Sequence, residues 1–64
     1  MLKKIVYRVH NIGTPSIWKE FATEAQARNY YNEVAPYHRY ISLERVAQYD
    51  TYACAQTIEI KTGR

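Results

Sequence analysis

From Leu2 to His10 the chain alternates: Ile5, Tyr7 and Val9 share one parity, while Lys4, Val6, Arg8 and His10 share the other. A period of two is that of a strand with one covered face, and β-branched and aromatic residues suit its pleated surface. Gly13 and Pro15 fall within Asn11 to Ser16, which reads as a turn. Ile17 to Phe21 is a short extended piece expected to fold back on the first strand as a hairpin. Thr23 opens a different pattern. Gln26 stands at the capping-box spacing, and Glu24 puts an acid in the first turn, where the helix dipole favours it. Ala27, Tyr30, Tyr31 and Val34 then form a single stripe on an α-helix, with Arg28, Asn29, Asn32 and Glu33 on the other side. Pro36 disfavours helical geometry at Ala35, so the helix is expected to end there or just before.

Beyond Tyr37-His38-Arg39 the period returns to two. Ile41, Leu43, Ala47 and Tyr49 share a parity in which Arg45 is the misfit. Asp50-Thr51 supplies a turn, and a last strand is expected from Tyr52 to Lys61. There Tyr52, Cys54, Ile58 and Ile60 alternate with Ala53, Ala55, Thr57 and Glu59, and Gln56 interrupts the apolar parity. The expected fold class is α+β: a small antiparallel sheet of three to four strands with one α-helix packed across one face, in the order β-(β)-α-β-β. Residues 1–64 form one domain, with no repeat and no linker.

Alternation assigns Ile5, Tyr7, Val9, Ile41, Leu43, Ile58 and Ile60 to the face beneath the helix. The opposite face is less charged than water-facing sheets usually are. Val6, Val46, Ala53, Ala55 and Thr57 form a small, weakly polar group there, and this face or an adjoining edge is the expected homodimer contact. A mixed face that water tolerates is the competing reading.

Composition narrows the chemistry. Of the 64 residues 47% are hydrophobic, but seven of those are Ala and seven are Tyr, so the interior is thin. No apolar run approaches the roughly 18–20 residues of a membrane span. The chain opens on Met1-Leu2-Lys3-Lys4 with no signal-peptide pattern, so a cytoplasmic location is expected. The single Cys54 has small neighbours and reads as a buried hydrophobe. His10 and His38 stand apart with no partner at metal spacing, and no phosphate-cradling Gly-rich loop is present. No nucleophile, base and orienting group are nominated together, so neither catalysis nor a cofactor or metal is expected.

Tyr is the overused residue, and it gives large, stiff, amphipathic contact area. Tyr7, Tyr30, Tyr31 and Tyr49 fit core positions with hydroxyls at the rim. Tyr37 and Tyr40 bracket His38 and Arg39 just after the helix, and a loop bearing aromatic and Arg side chains has the composition of an interface hot spot. The same rings would also serve to cap a core. Trp18 lies on the parity opposite Phe21 and points away from the core if Phe21 points in; its alternative is to fold over the hairpin edge. The expected partner-binding set is Trp18, Arg28, Tyr37, His38, Arg39 and Tyr40.

The net charge of +3 raises nucleic acid as an alternative partner, with Lys3, Lys4, Arg8, Arg28, Arg39, Lys61 and Arg64 as phosphate contacts and tyrosines as stacking platforms. Against it, Glu20, Glu24, Glu33, Glu44 and Glu59 are interleaved with the bases. The segment Trp18 to Ala27 resembles the strand-to-helix step of the AP2-like, arm-type DNA-binding domains of phage integrases, with an aromatic, a Thr cap and an Ala-bearing helix. Those domains place three strands before the helix and end with it, whereas two strands follow it here. In size, helix-on-sheet layout and Tyr content the chain is similar to small orphan proteins of phages and mobile elements, among them anti-defence inhibitors. That resemblance implies occlusion of a larger host protein by a rigid docked surface. The functional expectation is therefore a non-enzymatic protein-binding module, homodimeric, of phage-inhibitor type. Small basic nucleic-acid binding is one alternative, and an oligomer holding a small molecule at a subunit seam is another.

Overall fold

The computed structural model describes residues 1–11 and 17–62; the turn expected at Asn11 to Ser16 falls, apart from Asn11, outside the described residues. Strand β1 (Leu2–Asn11) is followed by β2 (Trp18–Phe21), helix α1 (Glu24–Val34), a 3-10 turn (Ala35–Tyr37), β3 (Ile41–Tyr49) and β4 (Ala53–Lys61). The strands form one four-stranded sheet in the order β2-β1-β3-β4, and each neighbouring pair is antiparallel. The fold is thus the expected α+β arrangement with all four strands present.

Local chemistry explains the boundaries. The Asn11 amide donates to the Ile17 carbonyl at 3.2 Å, closing the first hairpin. Thr23 holds an extended backbone, and its Oγ1 accepts from the Gln26 amide at 3.3 Å, which satisfies one of the orphan donors of the first turn. At the other end Pro36 stops the α-helix after Val34, but the chain tightens into the 3-10 turn before turning away. The Lys61 ammonium donates to the Ala35 carbonyl at 2.7 Å, a cation at the negative end of the helix dipole. The second hairpin closes where the Tyr49 amide meets the Tyr52 carbonyl at 2.8 Å, and those two rings stack at 4.7 Å.

The core lies between α1 and the central strands. Val9, Ala27, Tyr31, Ile41 and Leu43 are buried together, with Tyr7, Ile17, Phe21, Tyr30, Val34 and Ile58 packed around them. All four positions of the helical stripe therefore face inward. Eleven helical residues span only about 16 Å, whereas the molecule is 38 Å long. Sheet beyond that reach has no helix over it. This accounts for Cys54, which pairs with Ala47 on the helix-side parity yet is exposed, contrary to its expected burial.

The second correction comes from a β-bulge. Leu43 pairs with Glu59 and Glu44 with Thr57, so β4 holds one extra residue at Ile58. The parity of β4 reverses past that point. Ile58 packs on the core as expected, but Ile60 does not lie beneath the helix; it pairs with Ser42 on the opposite face and is 61% exposed. Glu59 takes the helix side instead, where its carboxylate accepts from Arg28 at 2.7 Å. The two misfits of the alternation, Arg45 and Gln56, face each other across β3 and β4.

Candidate functional site

Register places two rows of side chains across the back of the sheet, the face away from α1. One row reads Trp18, His10, Ser42, Ile60 over β2, β1, β3 and β4, and the next reads Glu20, Arg8, Glu44, Thr57. Arg8 is the hub. Its Nε lies 3.4 Å from Glu20 Oε2, its Nη1 3.6 Å from Glu44 Oε1, and its guanidinium sits 4.2 Å from the centre of the Trp18 ring. His10 Nε2 approaches Glu44 Oε1 to 3.0 Å, and its ring lies 5.3 Å from that of Trp18. The Glu44 oxygen is shielded from solvent and held by charge proximity, with no aligned hydrogen-bond donor among the described residues.

Beside this network is a cleft of about 220 Å³ bordered by His10, Tyr40, Ser42, Thr57, Ile60 and Lys61. The bulge helps to open it: Glu44 pairs with Thr57 and Ser42 with Ile60, so a two-residue step on β3 spans three residues of β4. The cleft's rim is aromatic and aliphatic. Of its lining, Tyr40 is 49% exposed and Ile60 61%, and Trp18, 64% exposed, lies beyond it against the His10 ring. Ser42 Oγ is directed 3.5 Å from the His10 carbonyl rather than to the His10 ring. No group of three or more His, Cys, Asp or Glu side chains suited to a metal ion occurs among the described residues.

The six residues expected to bind a partner separate into three places. Tyr40 lines the cleft just described, and Trp18 stands beside it against His10 and Arg8. Tyr37 and Arg39 are exposed in the connection that leads to it, Tyr37 by 83%. His38 is half-buried and acts as a brace. Asn11 Oδ1 accepts from the Ile17 amide at 2.6 Å, which fixes the amide orientation, and Asn11 Nδ2 donates to His38 Nδ1 at 3.1 Å. Arg28 lies on the helix side of the sheet. It is held by Glu24 at 3.1 Å and Glu59 at 2.7 Å, and these two bonds, Glu24's first, raise its guanidinium above its ordinary pKa.

The expected dimer set also divides. Val6 and Val46 are buried within the monomer, Val46 to 1% exposure. The pair is flanked by rows of long side chains, Lys4 with Gln48 and Arg8 with Glu44, which accounts for its shielding without a second layer. Ala53, Ala55 and Thr57 remain exposed on β4. Among the cations proposed for phosphate, Arg8 and Arg28 are paired with carboxylates and Lys61 keeps its charge while donating to a carbonyl, and Lys3, Lys4 and Arg39 stay exposed.

Sequence reasoning missed His10, Arg8 and Glu44 as neighbours of Trp18. Their signal was the hairpin register, which sets Arg8 opposite Glu20 and His10 opposite Trp18. Compared with known protein families, curated proteins and solved structures, the chain matches none of them.

Proposed function

We propose that this chain is a non-enzymatic protein-binding module that docks through the back of its sheet. The observation that carries the reading is the placement of exposed Tyr40 and Ile60 on one cleft, with exposed Trp18 beside it across the His10 ring. Large apolar side chains scattered singly are ordinary, but a grouped set on a rigid sheet is the composition of an interaction surface. Beneath it Arg8 bridges the Glu20 and Glu44 carboxylates, so each of these charges already lies against one of opposite sign. Occlusion of a larger host protein, in the manner of phage anti-defence inhibitors, is the role such a surface would serve. Val6 and Val46, buried within the chain, are not part of any such surface.

The test uses the full chain as bait against host lysate, as wild type, as Trp18→Ala with Tyr40→Ala, and as Arg28→Ala. Circular dichroism establishes that each variant folds. The expected result is a partner retained by wild type and Arg28→Ala and lost at least tenfold by the double variant. Equal retention by all three would remove this surface from the reading. An unfolded double variant would show those rings to be structural, with the same consequence.

A further inference from the structure

The outer edge of β4 is open along the strand's nine residues. Nothing pairs with it among the described residues, and from Ala53 to Thr57 every residue is exposed. Natural edges are protected by charge, proline, brevity or a covering element. The run Ala53-Cys54-Ala55-Gln56-Thr57 has no charge and no proline, and its side chains are short apart from Gln56. The opposite edge is β2, four residues that carry Lys19 and Glu20, continued by the Leu2 to Val6 half of β1, which carries Lys3 and Lys4. One edge is guarded and the other is open.

The cleft lies one strand in from that open edge, with Thr57 and Ile60 of β4 on its near side. At about 220 Å³ it is smaller than the roughly 300–1,000 Å³ of sites that enclose a drug-sized ligand, and it suits a single bulky side chain. A strand added to β4 would set alternate side chains on the back face, where the short Thr57 leaves room for one of them to lean over into the cleft. This is the division of labour in β-strand addition: main-chain hydrogen bonds give affinity, and a pocket for alternate side chains gives specificity.

Charge selects the occupant. Exposed Arg39 adjoins Tyr40 at the cleft, Lys61 lines it while donating to the Ala35 carbonyl, and Arg45 faces Gln56 on the helix side of the same edge. Glu44 in the cleft and Glu59 on β4 are already held in ion pairs. No carboxylate pairs with any of these three cations among the described residues, and the whole chain carries +3. An acidic segment meets attraction along this edge and a basic one meets repulsion.

We infer that β4 accepts an extended acidic segment of a partner protein as a fifth strand, with one bulky apolar side chain of that segment seated in the cleft between Ser42, Thr57 and Ile60. This rests on the docking reading and names the partner's chemistry. The test is an NMR titration of the isotope-labelled full chain with acetyl-Glu-Thr-Leu-Thr-Glu-amide. Its counterparts carry Lys for both Glu residues, or Ala for the Leu. The acidic peptide is expected to shift the amides of Ala53 to Lys61 and of Ser42, with a Kd on the order of 1 mM. Each counterpart should bind about tenfold more weakly, and Ile60→Ser should lose the preference for Leu over Ala while keeping the fold.

Equal binding of the acidic and Lys peptides would overturn the inference, as would shifts centred away from β4. A chain already dimeric by sedimentation, with its β4 amides protected before any peptide is added, would show a second copy on that edge and overturn it too. A single-stranded oligonucleotide that displaces the acidic peptide would reassign the surface to nucleic acid. If the peptide fails while Trp18→Ala with Tyr40→Ala still abolishes partner capture, this inference falls and the docking reading stands. If the peptide binds while that double variant captures normally, the docking surface is wrong and the strand site is right.

Discussion

Tyr31 shows how a single side chain records the thinness of the interior. It is 4% exposed, its ring belongs to the core, and burial raises its phenol above the ordinary value. The nearby Glu59 carboxylate pushes the same way and the Arg28 guanidinium opposes. As pH rises, the unfolded chain releases this proton first, so it then binds fewer protons than the folded chain and stability falls. The contribution is whole below about pH 10 and is lost as pH climbs through the raised folded value. Tyr31→Phe should therefore show a shallower alkaline loss of stability than wild type, measured by denaturant unfolding between about pH 9 and 11. Parallel curves for the two proteins would assign the alkaline loss to other tyrosines. Arg45 and Gln56 belong at this scale as well. Each interrupts an apolar parity in sequence, and each is explained by the other once the β3–β4 register is known.

Elements with a local cause were legible in the sequence. Alternation gives β1 and β3 their faces, the Thr23 to Gln26 spacing gives α1 its start, and Pro36 gives it its end. The bulge was not legible, because an extra residue in one strand is defined only against its partner. Alternation from Tyr52 assigns Ile58 and Ile60 the same environment, whereas register separates them. Ile58→Ala should cost about 2–4 kcal/mol, at the modest end of core truncations because the side chain is only partly buried. Ile60→Ala should stay within about 0.5 kcal/mol. Equal losses in thermal or urea unfolding would contradict the bulge. The candidate site was half legible for the same reason: Trp18 and Tyr40 stand out by composition, but Arg8, His10 and Glu44 join them only through pairing. At the helix start, Thr23→Ala removes the acceptor of the Gln26 amide and should lower stability by about 1 kcal/mol.

At the scale of the molecule, one short helix covers part of an elongated sheet, and the largest fully buried side chains are Ile41, Leu43, Val9 and Val46. A domain of this size holds only a few kcal/mol in reserve. Leu43→Ala, at the centre of the cluster, should remove about 2–5 kcal/mol and leave much of the population unfolded at room temperature. A cooperative melt close to that of wild type would show a better-supported interior than the packing implies. The same scale leaves the back face and the β4 edge uncovered, since the helix does not reach them.

The pairing of β1 with β3 has a consequence for how the chain folds. Val9 meets Leu43 across the centre of the sheet, and the two belong to opposite halves of the sequence. Each hairpin closes quickly by itself, but their union waits on the slow closure of a long intervening loop. Until β3 docks, Ile5, Tyr7 and Val9 lack their cross-strand neighbours on that side. The centre of the sheet is therefore incomplete until Leu43 meets Val9.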